Sequence, residues 1–210
     1  MPTEYKEFTL SSDQNYFATP SSTLFTLISA SLTVQNSSSI IQQYSLFNLF
    51  LSTLNFIDSS ISQIDILEPV IRVTSSSLNM TNTNISRITD IDNYDFMLIT
   101  LDSSLTINSL IFEDSTSNLF NSRNTKIYID DLMIRNTFSF TNFIKILSSD
   151  EAIINQYQSS NTNSNIDEQI LITDSSNVKI MNLEVHDTAE VIINTMNSNV
   201  TSLSDIQIHS

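Results

Sequence analysis

An all-β fold, a parallel β-helix of about eight coils with roughly 23 residues each, is what this sequence predicts, on three observations. The first is an alternation that skips a beat. In "LTINSLIF" the apolar side chains fall at Leu105, Ile107, Leu110 and Phe112, in "IYIDDLMI" at Ile127, Ile129, Leu132 and Ile134, and in "VKIMNLEV" at Val178, Ile180, Leu183 and Val185. Successive residues of a strand point to opposite faces, so each segment reads as two inward-facing strands joined by a two-residue bend. The second is a polar turn of Ser, Asp and Asn that recurs between alternations, centred on Ser37, Ser59, Ser76, Ser103, Arg123, Ser149, Ser175 and Ser198, with a mean spacing of 23 residues. A helical array of similar period would need Ala, Leu, Glu and Lys at a spacing of about 3.6 residues, and a leucine-rich repeat would need its Leu-rich signature; neither is present. The third is composition: Ile leads the aliphatic residues, and Ile, Val, Thr, Phe and Tyr suit a pleated, half-buried surface.

Taken in order, residues 1–23 carry two of the three prolines and varied charge, and are expected to form an N-terminal cap or lead-in. Residues 24–210 are expected to form the β-helix. "LFTLISASL", residues 24–32, reads as a buried strand. Bends are expected at Asn108 and Ser109, at Asp130 and Asp131, and at Met181 and Asn182, so each coil contributes three strands, one before the polar turn and two after it. "NQYQSSNTNSNIDEQ", residues 155–169, has no apolar alternation and is expected to be a flexible loop. The sequence stops at "SDIQIHS" on an apparent strand, so the helix is expected to continue or to stack on another copy beyond that point.

The 210 residues include no glycine and no cysteine, and Ser, Thr and Asn account for 81 of them. Without glycine, positive φ falls to Asn, Asp and Ser, which favours gentle corners over the tight Asn-Gly hairpins of an antiparallel sandwich. Without cysteine there are neither disulfides nor thiolate metal sites. A net charge of −15 from 8 basic and 23 acidic residues excludes nucleic acid and anionic membranes as partners. No run reaches the roughly 18 apolar residues of a membrane-spanning helix, and the first ten residues do not read as a signal peptide.

The coils "LITLDSSLTINSLIFEDSTSNLF" and "ILITDSSNVKIMNLEVHDTAE" resemble right-handed parallel β-helix repeats of the pectin-lyase-like superfamily, in particular the Ser/Asn-rich surface β-helix proteins of ciliates and other protists. The resemblance covers about residues 24–208 and implies a single-stranded, right-handed helix. It departs in one respect, since such repeats often carry glycine pairs. Enzymes of that superfamily cleave acidic polysaccharides with clustered aspartates, or with calcium and an arginine base. Asp130 and Asp131 look like such a pair, yet they occupy outward bend positions where other coils hold Asn-Ser and Met-Asn, and read as a solvated corner. Arg72, Arg87, Arg123 and Arg135 are too scattered for a polyanion groove.

His186 and His209, the only histidines, are too few for a multi-histidine metal site, and His186 reads as a surface corner residue beside Asp187. Acidic corners at Glu113 and Asp114, and at Asp90, Asp92 and Asp95, offer oxygen ligands for calcium but lack an EF-hand's glycine and closing glutamate. No catalytic residue, metal or cofactor is therefore assigned. Four sequons, at Asn36, Asn79, Asn84 and Asn199, are candidate N-glycosylation sites, and at this Ser, Thr and Asn content they arise readily by chance. The expected function is a non-catalytic structural or adhesive rod at the cell surface or outside the cell, associating with itself, with other subunits or with glycans. The alternatives on the same backbone are a carbohydrate-binding or polysaccharide-cleaving module and a trimeric tailspike-like fibre.

Overall fold

The computed structural model describes residues 6–11, 25–40, 46–66, 68–90, 96–139, 141–164, 168–186 and 191–209. A first strand, β1 (Lys6–Ser11), precedes a succession of coils. These are β2 (Phe25–Ile28), β3 (Ala30–Gln35) and β4 (Ser38–Ile40); β5 (Phe47–Phe50), β6 (Thr53–Ile57) and β7 (Ser60–Ile66); β8 (Ile71–Thr74), β9 (Ser77–Thr81) and β10 (Thr83–Asp90). Then come β11 (Phe96–Leu101), β12 (Ser104–Ile107) and β13 (Leu110–Glu113); β14 (Asn118–Arg123), β15 (Lys126–Ile129) and β16 (Leu132–Ser139); β17 (Ile144–Leu147), β18 (Ala152–Ile154) and β19 (Tyr157–Ser164). In the last two coils the second and third strands run on as one, giving β20 (Glu168–Thr173) with β21 (Val178–His186), and β22 (Val191–Met196) with β23 (Val200–His209).

The first strands of all the coils form one parallel sheet, in the order β2-β5-β8-β11-β14-β17-β20-β22. The second and third strands form two further parallel columns, which merge at β21 where that strand passes unbroken through the bend. Each strand thus bonds the strand one coil away, and the protein is a parallel β-solenoid with no helix among the described residues. Seven turns separate β2 from β22, an axial rise of about 34 Å at roughly 4.8 Å per turn. Part of the predicted cap is itself a rung, since β1 lies in parallel register with β3 from Lys6↔Ala30 to Ser11↔Gln35; residues 12–23 lie outside the described residues.

Register stacks like on like. Leu54, Leu78, Leu105, Ile127, Ala152 and Val178 form one inward column, and Phe56, Met80, Ile107, Ile129, Ile154 and Ile180 another, all buried. Each fully buried Leu or Ile contributes about 1.5–3 kcal/mol relative to exposure.

The skipped beat is a corner, at the three predicted places and elsewhere. Nineteen described residues have positive φ, and sixteen are Asn, Asp or Ser. Eight of them mark the corner between the first and second strands of successive coils: Ser29, Leu51, Ser75, Asp102, Asn124, Ser148, Asp174 and Asn197. Here the ladder continues through the left-handed residue itself, whose N–H donates one coil onward, as from Ser75 to the Leu101 carbonyl at 3.0 Å. The next N–H turns inward, out of reach of any strand. At Ala30, Ser52, Ser76, Ser149 and Ser175 it is taken by the hydroxyl of the corner serine one coil on, at 2.9–3.2 Å. That hydroxyl donates in turn to the carbonyl two residues back, as from Ser76 to Thr74 at 2.7 Å.

Three expectations are corrected. The recurring turns are not one column: Ser37 and Ser59 sit at the second corner, in the column continued by Thr83, Leu110 and Leu132, whereas Ser76, Ser103, Ser149, Ser175 and Ser198 sit at the first. The dipeptide of Asn, Asp or Ser followed by Ser or Thr marks every kind of corner, so it cannot by itself say which one. "LFTLISASL" is not a single strand; Ser29, at φ 50°, turns β2 into β3. Residues 157–164 are not a loop but the rung β19, in register with β16 through Leu132↔Tyr157 and with β21 through Tyr157↔Leu183. The inward positions there are polar, at Tyr157, Ser159 and Thr162, and the buried amide of Gln169 serves all three: its Oε1 accepts from the Tyr157 and Ser159 hydroxyls at 2.8 and 2.9 Å, and its Nε2 donates to Thr162 at 3.0 Å.

Candidate functional site

The outward faces are laddered by neutral amides and hydroxyls. Asn79 Nδ2 donates to Asn55 Oδ1 at 2.7 Å, Asn55 Nδ2 to Thr33 at 3.3 Å, and Ser104 to Ser77 at 2.8 Å. At the corners an Asn stands over an Asp again and again: Asn82 donates to Asp58, Asn124 to Asp102, Asn136 to Asp114 and Asn197 to Asp174, at 2.9–3.3 Å. Amide against carboxylate is a charge-assisted bond, and the pairing keeps carboxylates of adjacent coils from facing each other.

These ladders sort the four sequons. Asn36 and Asn199 are exposed, Asn36 at a corner with φ 48°. Asn79 faces outward as its position predicts, but its amide nitrogen, the atom that would carry a glycan, is held by Asn55. Asn84 Nδ2 donates to Glu113 Oε1 at 3.0 Å, and its Oδ1 is buried with no hydrogen-bond partner.

The acidic candidates are occupied in the same way. Glu113 is paired with Arg135 at 2.5 Å and accepts from Asn84, while Asp114 accepts from Asn136. Asp130 is exposed at its bend and accepts from Asn155 Nδ2 at 3.1 Å. Asp90 is buried, and Asp92 and Asp95 lie outside the described residues. Arg72 pairs with Glu68 at 3.3 Å on the exposed surface, and Arg87 and Arg123 are exposed. Beside Tyr128 the second-strand face carries a shallow depression of about 200 Å³, flanked by Lys126 and Glu151.

The histidines, set aside as too few, are brought together. Residues 186 and 209 lie one coil apart, in the register pair His186↔His209, and their rings stack at 4.4 Å between centroids and 9° between planes. His186 Nε2 also lies 2.9 Å from Glu184 Oε1. A count of histidines misses this, because proximity here is set by coil period and not by distance along the chain; comparing positions 22 to 27 residues apart is the signal that finds it.

The last described rung, β23, leaves its inward residues uncovered. Leu203, Ile206 and Ile208 are 51, 43 and 60% exposed, although the residues they stack on, Ile180, Leu183 and Val185, are at most 1% exposed. No helix of the described residues is long and apolar enough to cross a membrane.

No protein-family model, curated protein or solved structure matches the chain. Of the resemblance to pectin-lyase-like repeats, the structure shows the parallel β-solenoid.

Proposed function

We propose that this protein is a non-catalytic structural or adhesive solenoid, a rod-like component of a surface or assembly whose last described rung is continued by further coils of a longer chain or, end on, by a second copy. The observation that carries this reading is the uncovered rung at Leu203, Ile206 and Ile208. Such a rung presents unpaired N–H and C=O groups along one edge and an apolar patch beside them, and a copy displaced along the axis repeats the parallel pairing already made inside the molecule. A head-to-tail contact of this kind does not close on itself, so it yields filaments. The neutral, amide-laddered flanks support placement at the cell surface or outside the cell.

Sedimentation velocity and negative-stain microscopy test the reading. The chain is expected to form rods that lengthen with concentration, and Ile206→Lys with Ile208→Lys is expected to hold it as a monomer. A chain that stays monomeric at every concentration overturns the joining of copies. A second reading, a glycan-binding module, is favoured by the depression beside Tyr128, where an aromatic ring borders polar groups; retention on a polysaccharide column that disappears in Tyr128→Ala would establish it.

A further inference from the structure

We propose that Glu184, His186 and His209 form a binding site for one divalent transition-metal ion that clips the rung β23 to β21. Each residue offers one ligand atom, and these atoms all lie within 4.8 Å of one another. A tetrahedral ion with bonds of about 2.1 Å needs its donors roughly 3.4 Å apart, so modest side-chain rotation closes the site. His209 is exposed and the other two are half-buried, which leaves room for that rotation; Glu184 Oε2 accepts from Gln158 Nε2 at 3.2 Å, and its Oε1 faces His186.

Three further features point the same way. The strand register fixes both imidazoles on one face of adjacent parallel strands, so the site is largely formed by the backbone before any ion arrives. The chain has only two histidines in 210 residues, and the fold sets them side by side. An excess of 23 acidic over 8 basic residues raises the local concentration of cations. Two imidazole nitrogens and one carboxylate select Zn²⁺, Ni²⁺ or Cu²⁺ over Ca²⁺ and Mg²⁺, which take oxygen donors. Three protein ligands leave the fourth position to water or to a donor from outside, and Glu184 also borders a cleft of about 270 Å³ lined by Gln158, Asp205 and Gln207. Because Glu184 and His186 belong to one coil and His209 to the next, the bound ion cross-links the last described rung to the body of the solenoid.

The test is a Zn²⁺ titration of the full, tag-free chain, followed by calorimetry and by the imidazole proton NMR signals, which belong to two residues only. One equivalent is expected to bind and to move both sets of signals together, and to raise the thermal midpoint. His186→Ala and His209→Ala are each expected to weaken binding by at least about tenfold, Glu184→Gln by about tenfold, and Mg²⁺ to leave the signals in place. The proposal is overturned if excess Zn²⁺ moves neither imidazole or only one. It is overturned equally if binding survives at full strength in the double variant His186→Ala, His209→Ala; these are surface positions, and the unbound variant's retained far-ultraviolet circular dichroism checks that it is folded.

Discussion

At the corner residues, side-chain chemistry replaces glycine. Asn, Asp and Ser accept positive φ at modest cost, and unlike glycine they also reach a neighbouring coil, as Asn124 reaches back to Asp102. A chain with no glycine therefore loses little at most of its corners and gains a bond at several. Leu51 is the exception: it holds φ 51°, is 53% exposed and has no polar group to offer. Leu51→Asn is expected to stabilise the fold by about 0.5–1 kcal/mol, since the left-handed region costs an ordinary residue roughly 1–2 kcal/mol; a lower thermal midpoint would contradict this. The corner serines make the complementary case. Ser76→Ala removes the acceptor for the Ser52 N–H, a buried donor with no strand to turn to, and is expected to cost about 1–3 kcal/mol in urea unfolding. Ser76→Thr is expected to cost much less, because Thr125 occupies the same place in the column and its hydroxyl donates to the Arg123 carbonyl.

At the scale of the strand, legibility tracked apolar content. The bends at Asn108 and Ser109 and at Asp130 and Asp131 could be read because Leu, Ile and Phe flank them at strand spacing, and the structure breaks its strands at those residues. The rung β19 could not, because its inward residues are Tyr, Ser and Thr, and the group that makes them tolerable in the core, Gln169, sits on the next coil. Alternation reports hydrophobic burial; it is silent where a core position is satisfied by hydrogen bonds. Gln169→Leu, nearly conserving volume, removes the shared acceptor of Tyr157 and Ser159 and is expected to destabilise by about 1–3 kcal/mol. Hydrogen exchange should show the loss concentrated in β19 and β20; unchanged protection there would show that the network contributes little. The histidine pair was illegible for another reason, since only the register of β21 against β23 makes neighbours of positions 186 and 209.

Across the whole molecule, a charge of −15 spread along a narrow rod opposes both compaction and end-to-end contact. Raising NaCl from about 0.01 M to about 0.1 M shortens the screening length from roughly 30 Å to roughly 10 Å, so thermal stability is expected to rise, and with it the length of the filaments proposed above; a fall in stability would show that local ion pairs such as Glu113–Arg135 outweigh the global repulsion. Because each coil touches only its neighbours, stability is a sum of rungs and of the contacts between them. The corner pairs Asp102–Ser103 and Asn124–Thr125 then act as matching splice points, 22 residues apart. A chain in which Asp102 leads straight into Thr125 meets the same hydroxyl at the same turn, and should form a spindle one layer shorter with an unaltered cross-section, which small-angle scattering would register as a reduced maximum dimension. Length in such a molecule is a quantity that recombination can edit in whole steps, without redesigning anything on either side of the cut.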